Sequence, residues 1–176
     1  ASGDGYNVAV GKNAGYSVTT GVQNTLMGGL AGDALTTGGN NVAVGHNALT
    51  TETGASASVA IGKEALRDQN VSSGSSYNVA VGFEAGKLVS TGINNTLIGG
   101  LAGDAITDAD YNVAVGFSAL STSQLGSRST AIGHEALKFQ NPATAVDMYN
   151  TAVGFNAGER VTTGVKNVVV GALALD

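Results

Sequence analysis

The sequence predicts an all-β chain that folds as a parallel β-solenoid of about ten coils. Three observations support this class. One short motif repeats along nearly the whole chain. The apolar run in each copy is short, β-branched and bounded by Gly, which is typical of a strand and not of a helix. Gly is abundant, at 27 of 176 residues, whereas Pro occurs once and Cys and Trp are absent.

The repeat unit reads Asn/Ser, Val/Thr, small apolar, large apolar, Gly, two variable residues, Ala, then Gly or Leu. Its ten copies start at Asn7, Asn24, Asn41, Ser58, Asn78, Asn95, Asn112, Ser129, Asn150 and Asn167. The steps are 17 residues, except for 20 after Ser58 and 21 after Ser129. A unit this short cannot hold a helix pair, which needs about 33 residues. We therefore predict two short strands and two turns per coil, in a single repeat domain over residues 1–176.

The sequence also has a second, longer period that spans four copies of the repeat unit. The copies cycle through four types, so a block of four coils recurs after 71 residues and then after 72. This pattern indicates duplication of a four-coil cassette, with two cassettes and half of a third present.

The strand of each coil has two different faces. In Asn7–Gly11, Val8 and Val10 point to one side, and Asn7 and Ala9 point to the other. We predict that the Val8 and Val10 positions, stacked over ten coils, form the solenoid core. The small apolar residues at the Ala9 position must then be covered by the other wall of the coil or by another chain. Three chains around a shared axis satisfy this, so we predict a homotrimer, with a monomeric solenoid as the alternative.

Two other columns have structural roles in this scheme. We expect the Asn side chains to form a ladder of stacked amides, and the Gly at the end of each strand to adopt a positive φ. Ten coils stacked about 4.8 Å apart would make a rod about 50 Å long.

Composition excludes several kinds of partner. Only 12% of residues are charged and the net charge is −5, so no basic stripe is available for nucleic acid. No run of about 20 apolar residues is present, so we expect no direct membrane insertion. Hydrophobic residues make up 43% of the chain, too many for a disordered segment.

The motif Asn-Val-Ala-Val-Gly-x-x-Ala-Leu, followed by Thr-Thr-Gly, resembles two families over residues 6–175. It is similar to the head repeats of trimeric autotransporter adhesins, which fold as left-handed parallel β-rolls. It more closely resembles the repeat region of phage tail-fibre proteins. The coils here are longer than those of the adhesin heads. The resemblance implies a trimer that acts in attachment or spacing, not in catalysis.

We identify no catalytic, cofactor or metal site, and expect the chain not to be an enzyme. Gly28–Asp33 and Gly99–Asp104 resemble a calcium-binding nonapeptide, but each lacks its middle Gly and they are not in tandem. His46 and His134 follow the column Gly on different coils. In a trimer, three copies of one His could meet on the axis and hold an ion. Glu64 and Glu135 lie four coils apart, about 19 Å, too far for a glycosidase pair.

The two longer coils supply the candidate contact loops, Arg67–Tyr77 and Lys138–Tyr149. Loops on a rigid scaffold commonly carry recognition, and aromatic rings beside Asn and Asp suit glycans. The candidate receptor-contact residues are Arg67, Asp68, Asn70, Tyr77, Phe139, Asn141, Met148 and Tyr149. The partner would be a cell-surface glycan or protein receptor. The alternative is that these loops are decorated spacers.

These observations favour a structural and adhesive segment of a phage-type fibre, at the virion surface or otherwise extracellular. A bacterial trimeric adhesin head is the second interpretation. An ice-binding solenoid is the third, although the adjacent pairs Thr19–Thr20 and Thr36–Thr37 face opposite ways. A depolymerase is the fourth, and no residues point to it.

Overall fold

A computed structural model describes residues 5–176 as a parallel β-solenoid of ten coils, without a helix in that range. Residues 1–4 of the predicted domain lie outside the described residues. Each coil contributes one three-residue strand to a single ten-stranded sheet. The strands are β1 Val8–Val10, β2 Thr25–Met27, β3 Val42–Val44, β4 Val59–Ile61, β5 Val79–Val81, β6 Thr96–Ile98, β7 Val113–Val115, β9 Thr130–Ile132, β11 Thr151–Val153 and β12 Val168–Val170. They pair in chain order, which confirms the predicted class.

The register of the sheet follows the sequence repeat. Equivalent residues pair on every step, as Val42 does with Val59. The longer coils keep this register, since Val59 pairs with Val79 and Thr130 with Thr151. Their extra residues are therefore accommodated outside the main sheet.

The prediction of two strands per coil is wrong for most coils. Among residues 5–176, only β8 (Gly126–Ser127) and β10 (Val146–Asp147) form a second sheet, a parallel pair on coils 7 and 8, and Ser56 and Ser75 form a single parallel bridge. The physical reason is the number of turning residues. In coil 5, for example, Tyr77, Gly82, Glu84 and Gly86 all have positive φ. Such residues interrupt extended backbone, so turns stacked by hydrogen bonds make up most of the second wall.

The prediction of which strand face forms the core is also wrong. The central residue of the strand, Ala43 in β3 and Ala60 in β4, is fully buried within the single chain. Its neighbours Val42 and Val44 point outward and are only partly covered. The interior of so narrow a coil accepts small side chains, so the bulky positions lie outside. The other wall of the same coil covers the Ala column, and that column gives no reason to invoke a second chain.

The exceptions in the central column show how tightly the interior is filled. Leu26 and Leu97 replace Ala there, and both are buried. The turns of their coils have Gly32 and Gly103, where a Cβ atom would lie 2.9 and 2.8 Å from these leucine side chains. Coils with a central Ala often have a buried Leu in that turn instead, as Leu49 in coil 3. Large and small residues therefore exchange places between the two walls.

The Gly column behaves as predicted. Gly82 has a φ of 143°, and a Cβ atom there would lie 2.5 Å from the Gly99 carbonyl oxygen. Both the dihedral angle and the close contact between successive coils require Gly.

The predicted Asn ladder is present in the interior. The Asn24 Oδ1 atom accepts from the Asn41 backbone N–H at 3.0 Å, and its Nδ2 donates to the Gly38 carbonyl at 3.0 Å. Ser58 and Ser129 interrupt the column. At these points a buried glutamine of the same coil supplies the missing amide. The Oε1 atoms of Gln69 and Gln140 accept from Asn78 at 2.9 Å and Asn150 at 2.8 Å.

Candidate interaction surfaces

The outward face of the ten-stranded sheet is uncharged along its whole length. The second repeat position carries Val or Thr, and the fourth carries Val, Met or Ile, in all ten coils. Most residues at the fourth position are exposed in the single chain, such as Met27 by 42%, Ile98 by 39% and Ile132 by 40%, while Val44, Val81 and Val115 are partly buried. A flat apolar strip of this length is unusual on a protein that works alone in water. We call these two columns the apolar face.

A column of residues flanks the apolar face on each side. The leading edge is the residue before each repeat Asn or Ser: Tyr6, Gln23, Asn40, Ala57, Tyr77, Asn94, Tyr111, Arg128, Tyr149 and Lys166. The trailing edge is the residue after each column Gly: Lys12, Gly29, His46, Lys63, Phe83, Gly100, Phe117, His134, Phe155 and Ala172. Both histidines that the sequence singles out therefore lie on the trailing edge.

On each edge, side chains of coils 7 to 9 contact one another from coil to coil. On the trailing edge, the His134 ring stacks between Phe117 and Phe155, with centroids 5.5 and 5.0 Å apart. On the leading edge, the Arg128 guanidinium lies 4.6 Å from the Tyr111 ring centroid. Asp147 links Arg128 to Tyr149 on the next coil, since it pairs with Arg128 at 3.0 Å and accepts a hydrogen bond from the Tyr149 hydroxyl at 3.1 Å. Both edges are thus ordered from coil to coil.

The candidate contact residues of the first loop lie in different surroundings. Arg67 binds Asp68 at 2.6 Å and Glu64 at 3.1 Å, so its charge is already engaged. Asn70 is exposed, and its Oδ1 accepts from the Thr53 hydroxyl of the preceding coil at 3.1 Å. Tyr77 lies on the leading edge, apart from the other three, and is 60% exposed.

The second loop places its candidates in four different environments. Phe139 is exposed beside Lys138, whose Nζ lies 5.2 Å from the ring centroid. Asn141 is exposed and its Oδ1 accepts from the Gln124 backbone N–H at 3.4 Å. Tyr149 lies on the leading edge. Met148 is fully buried and contributes to the core, so its side chain is removed from the candidate contact set.

Several exposed residues of the two longer coils were not singled out in the sequence. Ser72, Ser73 and Gly74 are exposed in the first loop, and residues 143–147 are exposed in the second. A Cβ atom at Gly74 would meet nothing within 4 Å. The only available signal was the extra length of these coils, because no side chain at either tip has a distinctive chemistry.

A charged cluster lies on the turns of coils 4 to 6. Lys87 pairs with Glu64 at 3.1 Å and with Glu84 at 3.0 Å. The hydrogen bond from Lys87 is the main cause of a lowered pKa at Glu64, and bonds to Glu84 and Glu64 raise the pKa of Lys87. Nearby, burial raises the pKa of Asp104 to about 6, and its Oδ1 atom is buried without a hydrogen-bond partner. Glu64 is therefore a member of an ion-pair network.

The acidic residue of the first calcium-like segment is engaged by the neighbouring coil. Asp33 of the first accepts a hydrogen bond from the Thr50 hydroxyl of the next coil. Across residues 5–176, no group of three His, Cys, Asp or Glu side chains is placed to hold a metal ion. The same range contains no helix with the length and apolar character needed to cross a membrane.

The chain matches no protein-family model, no curated protein and no solved structure.

Proposed function

We propose that this chain is a non-enzymatic structural and adhesive segment of a trimeric viral tail fibre, exposed on the virion surface. It serves as a rigid spacer, and its two longer coils present loops to a cell-surface glycan or protein receptor. The observation that carries the proposal is the uncharged apolar face, which runs over all ten coils and is open in the single chain.

The size of the apolar face suits association with further copies of the same chain. With its two edges it measures about 45 Å along the stack and about 20 Å across, or about 900 Å². Stable protein interfaces cover about 800 Å² per partner. A partner of the same sequence offers an equally long, flat and uncharged face, whose repeat matches coil by coil.

The number three rests on the motif. The Asn-Val-Ala-Val-Gly repeat resembles those of trimeric tail fibres and adhesin heads, and three such faces around one axis would enclose an apolar core. The same resemblance supports a bacterial trimeric adhesin head as the second candidate. Both assignments require a stiff rod, which the continuous hydrogen-bonded stack of coils supplies.

The oligomer is tested by light scattering on the intact chain at several concentrations. The proposal predicts a mass near three times 17.3 kDa that does not change on dilution. A mass of one chain would contradict it and would leave an exposed flat face, for which ice binding is the next activity to measure.

Attachment is tested separately by binding to intact host cells or to an array of their surface glycans. We expect a variant with Ser72–Gly74 and residues 143–146 shortened to match the 17-residue coils to keep its mass and lose binding. The matched control carries Thr91→Ser on a coil of ordinary length and should bind normally. Equal binding by the shortened variant would show that the loops are spacers.

A further inference from the structure

We propose that neighbouring copies in the assembly meet edge to edge on the same coil, with the leading-edge tyrosines of one copy against the trailing-edge phenylalanines of the next. This inference rests on the proposed self-association and specifies its geometry. The pairs are Tyr77 with Phe83, Tyr111 with Phe117, and Tyr149 with Phe155. The assembly is then a closed ring of parallel copies in register, with its symmetry axis along the stack of coils.

Aromatic residues occur together on the two edges. All three phenylalanines of the trailing edge lie on coils whose leading-edge residue is Tyr. Coil 1 differs, since Tyr6 is matched there with Lys12. Coils without an aromatic leading edge have Gly, His, Lys or Ala on the trailing edge. The two columns therefore vary together.

Coils 3 and 7 differ from each other at both edges. These coils occupy the same place in successive cassettes, and their strands have the same sequence, Val-Ala-Val. Coil 3 has Asn40 and His46 on its edges, whereas coil 7 has Tyr111 and Phe117. Duplication alone would have kept the edges alike, yet the two coils differ at both edges, and both edge residues of coil 7 are aromatic.

Contact within one chain does not account for this joint change. Tyr111 and Phe117 lie on opposite sides of the apolar face, six residues and up to about 20 Å apart. Each ring contacts its own edge: Tyr111 contacts Arg128, and Phe117 contacts His134. Tyr111 is 48% exposed and Phe117 is 49% exposed. Both side chains are therefore open to a partner along the borders of the face.

Symmetry decides which edges meet. If the axis runs along the stack, each coil meets the same coil of the next copy, and leading edge meets trailing edge. If the axis runs along the strands, like edges meet and the first coil faces the last. Only the first arrangement brings Tyr111 to Phe117. It also places Arg128 opposite His134 on coil 8, so the two stacks on coils 7 to 9 face each other throughout.

Chemical cross-linking tests this pairing, because the chain has no cysteine of its own. The matched variant is Tyr111→Cys with Phe117→Cys, treated with a short bismaleimide. The inference predicts covalent species of two and three chains on a denaturing gel. The single variants Tyr111→Cys and Phe117→Cys should remain one chain. The mismatched control, Tyr149→Cys with Phe83→Cys, separates the two thiols by four coils, about 19 Å, and should also remain one chain.

The outcomes separate this inference from the proposed function. Cross-linking by a single variant or by the mismatched control would overturn the edge pairing. An unlinked matched variant that keeps a three-chain mass in solution would also overturn it, while the trimer would stand. A one-chain mass for the unaltered protein would overturn both.

A charge exchange gives a second, independent readout. Tyr111→Glu alone and Phe117→Lys alone should each lower the associated fraction at least tenfold, because each removes an aromatic contact and places a charge at the border of an apolar interface. The double variant, with both changes in one chain, should recover most of the associated fraction, since each Glu meets a Lys of the neighbouring copy. A double variant that is weaker than either single variant would contradict the pairing.

Discussion

The two polar segments of the core, in coils 3–4 and coils 7–8, have the same backbone plan and different chemistry. Both use a buried glutamine, Gln69 or Gln140, to continue the amide ladder where Ser replaces Asn. Beside Gln69 lies Glu52, a fully buried carboxylate. The equivalent residue beside Gln140 is Ser123, whose hydroxyl lies 3.4 Å from the glutamine Nε2.

The environment of Glu52 explains how a buried carboxylate is tolerated. Its Oε1 accepts from the backbone N–H groups of Gly54 at 2.9 Å and Ala55 at 2.7 Å. Its Oε2 accepts from Gln69 Nε2 at 3.1 Å and from the Val71 N–H at 3.1 Å. Four donors therefore satisfy the two oxygens without a cationic side chain.

The second segment, which has Ser123 in place of the acid, also differs at two neighbouring positions. Pro142 stands where the first segment has Val71, and proline has no N–H to donate. Met148 stands where the first has Ser76, and a Cβ atom at Gly126 would lie 3.0 Å from the Met148 Cγ atom. An apolar side chain thus fills space near Ser123. The acid is therefore found in the segment that supplies all four donors, and a serine stands in the segment where one of them is missing.

The largest effect is expected from removing the carboxylate. Glu52→Ala removes the acceptor of three backbone N–H groups and of one Gln69 Nε2 hydrogen, while Gln69 keeps its bond to the Ser58 hydroxyl at 2.8 Å. We expect the free energy of unfolding to fall by about 3 kcal/mol or more, measured by urea denaturation. The matched change Ser123→Ala removes one long hydrogen bond and should cost less than about 1 kcal/mol. Equal losses at the two sites would refute the distinction.

An intermediate effect is expected from placing the acid in the second segment. Ser123→Glu should destabilise the fold by about 2 kcal/mol, because Pro142 cannot donate and Met148 occupies the space. Adding Pro142→Val and Met148→Ser should recover at least half of that loss. Thermal and urea unfolding of the single and triple variants provide the comparison. No recovery would mean that Val71 and Ser76 do not account for the tolerance of Glu52.

The smallest effect concerns Asp104, whose pKa is raised to about 6 from an ordinary 3.8, mainly by burial. A raised pKa in an acid means that the folded state binds the proton more tightly. Stability should therefore fall as pH rises from about 4 to about 6. Asp104→Asn should remove this slope and raise the unfolding free energy at pH 7 by about 1 kcal/mol, since the side chain is only partly buried and solvent screens its charge.

The control is the cassette-equivalent Asp33, whose Oδ1 accepts a hydrogen bond from the Thr50 hydroxyl, whereas the Asp104 Oδ1 is buried without a partner. Asp33→Asn should give no gain in stability at pH 7. A gain as large as that of Asp104→Asn would contradict the assignment of the effect to the unpartnered carboxyl.

The columns of the repeat predict the coil, its register and its Gly and Asn ladders, because each depends on residues that recur at fixed steps. The core face was predicted wrongly, since alternation assigns Val8 and Ala9 to opposite faces without saying which is inside. The narrow width of the coil decides that, and width is a property of the turns. Gln69 was missed although Gln140 is its counterpart 71 residues on. An amide inside a loop of changed length could not be aligned with the Asn column.

The candidate contact surface was predicted in part. The two long coils do carry the exposed tips, yet Met148 is core and Tyr77 and Tyr149 belong to the leading edge. Loop length locates a protrusion, but only the three-dimensional path shows which of its side chains are outside.

The most direct test of the central claim, that copies associate through the apolar face, is the solution mass of a variant with charges on that face. Val81→Glu with Val115→Glu places two carboxylates at partly buried outward positions on coils 5 and 7. We predict that its mass falls from three chains to one while its far-ultraviolet circular dichroism remains that of a β-solenoid. The control Ser72→Glu, on an exposed loop tip, should keep three chains. A three-chain mass for the double glutamate variant would contradict the account.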